Sequence, residues 1–155
     1  MLLQKETAMP NEQHYRRLEN MHRSAPCNIA YYPDIKVTVS EAKAEIALPV
    51  KPQYFHAAKA VHGFVYFKLL DEAAFFAANS LVEDVFVLTT GFNLNLLRPF
   101  TDGIMKAVGQ VTYNGKNQIL AEAVLYNAEG RQAARGSGTF VRGATPLTAE
   151  MGYRD

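Results

Sequence analysis

The sequence has one cysteine, no tryptophan and almost no net charge: 16 Lys and Arg face 15 Asp and Glu in 155 residues, for a formal balance of +1. The single thiol, Cys27, can form no internal disulfide and stands in no CxxC pair, which fits a reducing cytoplasm. A protein held to nucleic acid by phosphate neutralisation shows a basic excess or stripe, and neither is present. The four histidines, His14, His22, His56 and His62, fall into no HxxxH or HExxH spacing, so no metal is expected. Residues 1–6 hold no sustained apolar run of the kind a signal peptide needs. The longest apolar stretch, residues 64–78, carries Lys68, Asp71 and Glu72 in its middle, and three central charges make a membrane span costly. What remains is a chain 48% apolar, long enough to bury one core without a disulfide or metal staple. The expectation is a cytoplasmic protein that binds neither nucleic acid nor membrane.

Residues 1–10 are polar and end in Pro10. Asn11 is placed to cap a short helix reaching about His22, with Tyr15, Leu18 and Met21 on its apolar side. Residues 1–25 therefore read as a tail plus short helix, 26–145 as one domain, and 146–155 as a C-terminal tail. Alternation marks strands at 35–39 and 44–49. Residues 63–80 contain no proline and no interior glycine, and Ala, Leu and Phe dominate them. They predict a helix about 27 Å long that is apolar on nearly every side, hence wrapped by the rest of the chain. Four strands follow, at 85–97, 104–113, 118–126 and 132–141, read as a meander with Asn114-Gly115 as its clearest hairpin signal. The fold class is α+β: one antiparallel sheet curled around a central helix. A single layer leaves part of such a helix uncovered, which points to a homodimer or a dimer of dimers.

At 100° per residue the helix separates its charges. Asp71 shares its face with Phe64, Phe67, Ala74, Phe75 and Ala78, whereas Glu72 lies beside Lys68. Burying a carboxylate costs several kcal/mol unless it is paired. Asp71 is either neutralised by Lys68 three residues earlier, or held in apolar surroundings to act as base or nucleophile. Glu72 is expected to pair with Lys68. Where the chain enters the helix, His62-Gly63 offers unsatisfied backbone N–H groups at the positive helix end, open to a close-lying carbonyl. Gly63 and Asp71 stand about 12 Å apart along one helix, so one carbonyl meets both only if two such helices lie antiparallel in a dimer.

The segments VHGFVYFKLLDEA at 61–73 and LTTGFNLNLLRP at 88–99 together resemble hotdog-fold acyl-CoA thioesterases, most closely the phenylacetic-acid-degradation thioesterase-like branch. The likeness runs over about residues 50–141. It implies a hotdog fold and a site built across a dimer, with Asp71 as general base or nucleophile and Gly63 polarising the thioester carbonyl. It further implies that Thr89 helps orient the attacking water and that His56 touches substrate or water. Ser137, Gly138 and Thr139 would contact CoA, which enters as part of the substrate; no separate cofactor is implied. Two positions depart from the family pattern. Phe64 replaces the second glycine of His-Gly-Gly and narrows the helix mouth, and His56 puts a titratable ring where an amide is usual.

Hydrolysis of a fatty or aromatic acyl-CoA is the first functional expectation, with Phe64, Phe67, Phe75 and Tyr54 around the acyl group. A hotdog 3-hydroxyacyl dehydratase or hydratase, pairing His56 with Asp71, is an alternative, although Phe76 stands where the common Asp-x4-His pattern needs a histidine. A non-catalytic acyl-CoA-binding module is the third.

Overall fold

The computed structural model describes residues 11–155. The expected terminal tail at 1–10 lies outside them. Asn11 caps α1 (Glu12–Ser24), its side chain accepting from the His14 N–H at 3.3 Å. Tyr15, Leu18 and Met21 are all buried, so the apolar stripe does what its spacing predicts. A short helix that the sequence did not signal, α2 (Pro26–Tyr31), follows with Pro26 in its first turn.

Six strands then form one antiparallel sheet: β1 (Lys36–Ser40), β2 (Lys43–Pro49), β3 (Val85–Leu96), β4 (Ile104–Asn114), β5 (Ile119–Tyr126) and β6 (Gln132–Pro146). The helix α3 (Gly63–Asn79) runs through the hollow of that sheet and touches every strand. This is the hotdog arrangement, with the core between α3 and the inner sheet face. Ala73, Ala74, Ala77 and Ala78 have no exposed surface. Their small side chains let the helix lie so close to β4 that a Cβ at Gly109 would sit 2.1 Å from the Ala73 carbonyl oxygen.

Two expectations change. The last four strands are not a continuous meander: the order is β1-β2-β4-β5-β6-β3, so β3 crosses to the far edge and pairs with β6. Alternation within a strand says which face is buried but not which neighbour it takes. The β4–β5 hairpin forms, but through a wider turn in which the Gly115 N–H donates to the Gln118 carbonyl, and neither Asn114 nor Gly115 has positive φ.

The helix is also less enclosed than its composition implies. Phe64 and Phe67 remain 52% and 40% exposed, although the Phe67 ring meets that of Phe92 on β3 edge-on. At the termini, α1 and the C-terminal segment pack on one another. The buried His14 ring bridges the Tyr153 hydroxyl at 2.6 Å and the Asn79 carbonyl at 2.8 Å, and Arg17 pairs with Asp155 at 3.0 Å.

Candidate active site

Asp71 sits halfway along α3, half-buried and turned toward β3. Its Oδ1 accepts a hydrogen bond from Thr89 Oγ1 at 2.9 Å. A bulge in β3 between Thr89 and Gly91, where Thr90 has no opposite residue on β6, lies directly beside this contact. No ion pair within 4 Å joins Asp71 to Lys68 among the described residues, so the purely structural pairing is not formed. Burial pushes the Asp71 carboxyl above its usual range. Thr89 pulls it down, the Glu72 charge adds to the rise, and Lys68 counters it.

Glu72 meets the expectation of a Lys68 partner, with Oε1 2.5 Å from Nζ. It has a second partner that spacing did not reveal: His22 Nε2 lies 2.7 Å from Oε2. Burial alone would raise the Glu72 carboxyl, but His22 and Lys68 outweigh it and hold it low. The only sequence signal for His22 was its place four residues after Leu18, on the buried stripe of α1.

Beside Asp71 opens a cavity of about 640 Å³. Met21, Phe75, Phe76, Phe86, Leu88 and Met151 supply most of its apolar lining, and Asp71, Glu72, His22 and Thr89 its polar edge. Of the four aromatics expected around an acyl group, only Phe75 lines this space. Phe64 and Phe67 lie on the exposed helix face, and Tyr54 is buried with its hydroxyl donating to the Tyr31 carbonyl at 3.3 Å. The pocket is instead closed by α1, α2 and the 3₁₀ turn Ala149–Met151, segments on which no motif falls.

Gly63 lies at the other end of the exposed helix face, in a second cleft of about 350 Å³ shared with His56, Tyr66, Leu97 and Arg98. His62 caps α3 by accepting from the Phe64 N–H at 3.2 Å. The Gly63 N–H makes no hydrogen bond among the described residues and remains a donor at the positive end of the helix. His56 is exposed, and its Nδ1 accepts from the Ala58 N–H at 3.0 Å. Within one chain the structure thus brings together Asp71 with Thr89, and Gly63 with His56, but not the two pairs with each other.

Ser137, Gly138 and Thr139 lie in mid-β6, hydrogen-bonded between β5 and β3 and outside both clefts. Gly138 faces inward, and a Cβ there would meet the Phe92 ring at 2.7 Å; the alternation puts Ser137 and Thr139 on the outer face. No group of three or more His, Cys, Asp or Glu side chains among the described residues is placed to hold a metal.

Comparison with known proteins agrees with this fold. The family model described as the thioesterase superfamily matches residues 58–134, which include Gly63, Asp71 and Thr89. The PaaI protein from the phenylacetic acid degradation operon of E. coli superposes with a TM-score of 0.80 at 22% identity, over 90% of this chain and all of that one. A thioesterase from Haemophilus influenzae superposes at 0.72 with 19% identity, over 82% of this chain and 88% of its own. A curated protein of Saccharolobus solfataricus, provisionally named an esterase, is 22% identical over 126 residues, or 81% of this chain and 89% of that protein.

Proposed function

The chain belongs to the thioesterase superfamily of hotdog-fold hydrolases, and from that premise we propose that it hydrolyses acyl-CoA thioesters to free acid and CoA. One observation carries the reading. A half-buried carboxylate, Asp71, is held by a neutral hydroxyl instead of a cation and stands at the mouth of a large apolar cavity. The cavity takes the acyl group, and Asp71 is the base.

Thr89 fixes Oδ1, which leaves Oδ2 free for a water molecule. As the water oxygen attacks the thioester carbonyl carbon, Asp71 takes its proton, and the carbonyl π electrons move onto oxygen. The Gly63 N–H and the positive end of α3 stabilise that oxyanion. Collapse of the tetrahedral species breaks the C–S bond, and the CoA thiolate leaves and gains a proton. Direct attack by Asp71 through an anhydride uses the same groups.

Gly63 and Asp71 are about 12 Å apart along α3, too far for one carbonyl. The working site therefore takes Asp71 and Thr89 from one subunit and Gly63 from another, through pairing of the uncovered faces of α3. His56 enters with Gly63, and the outer face of β6 at Ser137 and Thr139 is left for the CoA moiety.

A thiol-release assay over acyl-CoAs of graded length tests the reading. Asp71→Asn is expected to fold and to lose turnover by about 10²–10⁴-fold. Wild-type turnover in that variant rejects Asp71 as the base.

A further inference from the structure

Lys68 is the cation best placed to silence Asp71. It stands three residues earlier on the same helix, a spacing at which side chains meet. Yet its ammonium is taken up by Glu72 at 2.5 Å and lies over the Tyr32 ring, 4.6 Å from the centroid. Glu72 is itself fixed from the opposite side by His22, which is only 3% exposed and is wedged edge-on against Phe76. The Asn28 side chain in turn donates to the His22 carbonyl at 2.8 Å, tying the α1–α2 junction in place. The clamp therefore comes from α1, outside the residues the superfamily model matches.

We propose that Glu72, clamped by His22, is a positioning residue that holds the Lys68 ammonium off Asp71 and so keeps the Asp71 carboxylate available as a base. The inference rests on the assignment of Asp71 as base. A carboxylate in direct contact with an ammonium is a weaker proton acceptor, because the cation stabilises its charged form. Diverting Lys68 to Glu72 avoids that contact, and the Glu72 charge one residue away adds to the effect. The charged or titratable groups around Asp71 are few. Lys68 and Glu72 come from α3, His22 from α1, Tyr32 from the stretch after α2 and Glu150 from the 3₁₀ turn Ala149–Met151; β3 contributes the neutral Thr89.

The test is the acid limb of kcat/KM against pH, which reports the base in the free enzyme. It is measured with a turned-over acyl-CoA for wild type, Glu72→Gln, Lys68→Met, the double variant and Asp71→Asn. In Glu72→Gln the lysine is released toward Asp71, and the limb should move to lower pH by about one unit. In the Lys68→Met background the same Glu72 change should move it by less than half as much. Lys68→Met alone should move the limb upward by less than about half a unit, because Glu72 already keeps the ammonium away, and if Glu72→Gln does not fold, the smallness of that shift decides. An unmoved limb in Glu72→Gln, an equal shift in both backgrounds, or a rise of about one unit or more in Lys68→Met overturns the proposal. Undiminished activity in Asp71→Asn instead removes the base assignment, so the two failures are told apart.

Discussion

At the scale of the residue, Asp71 is placed for chemistry at a cost to stability. Its carboxyl is raised above 3.8 in the folded chain, chiefly by burial, with only Thr89 and a distant Lys68 in opposition. The folded state thus binds this proton more tightly than the unfolded state does. Stability contributed by the site is present below the unfolded value and is lost as pH rises through the folded one. The penalty grows as pH rises from the unfolded value through the folded one. Asp71→Asn should therefore melt at a higher temperature than wild type at neutral pH, with the advantage vanishing below about pH 3.8. Thermal melts across that range check it, and an Asn variant less stable at neutral pH would show that the carboxylate is well compensated. Glu72, the adjacent residue, behaves oppositely: its carboxyl is held low, so its contribution is present at neutral pH and lost in acid. Both carboxylates could be singled out from the wheel of α3, and so could the Lys68–Glu72 pair. The His22 partner could not, because it arrives from α1 through tertiary packing.

At the scale of the element, the closeness of α3 to the sheet defines the site. The row Ala73, Ala74, Ala77 and Ala78 lowers the helix onto β4, and Gly109 is the point of nearest approach. Gly109→Ala would drive a methyl group into the Ala73 carbonyl, and neither backbone can yield cheaply. The expected cost is about 3 kcal/mol, read from chemical denaturation, with a matching fall in soluble yield. A loss under 0.5 kcal/mol would mean that α3 can move away from the sheet. The ends of α1 and α3 were legible because capping residues and Gly63 mark them. The fold-back of β3 onto β6 was not, since a strand edge carries no side-chain signature of its partner. That placement brings Thr89 to Asp71.

At the scale of the molecule, the apolar surface left open is continuous in kind. Phe64 and Phe67 on α3, and Leu88, Leu96 and Leu97 along β3 and just beyond it, are all at least 40% exposed. β3 is an edge strand, paired only on its β6 side. Exposed apolar surface beside a free edge supports the proposed pairing with a second copy. The proposed pairing of two copies predicts that Phe67→Glu lowers the mass seen by light scattering toward that of a monomer. Turnover should fall by about tenfold or more at low protein concentration and recover in part at high concentration. A Phe67→Glu protein of unchanged mass and activity would dismiss the two-subunit site.

The sequence alone determined that this chain folds around one apolar helix bearing an acidic side chain. Local rules suffice for that: periodicity, caps, and the cost of placing charge among apolar groups. Only the tertiary structure decided what the acid meets. It seated Thr89 against Asp71, brought His22 from another helix to clamp Glu72, and built the cavity walls from segments without a motif. Those contacts join residues far apart in the chain, and no local pattern encodes distance in space.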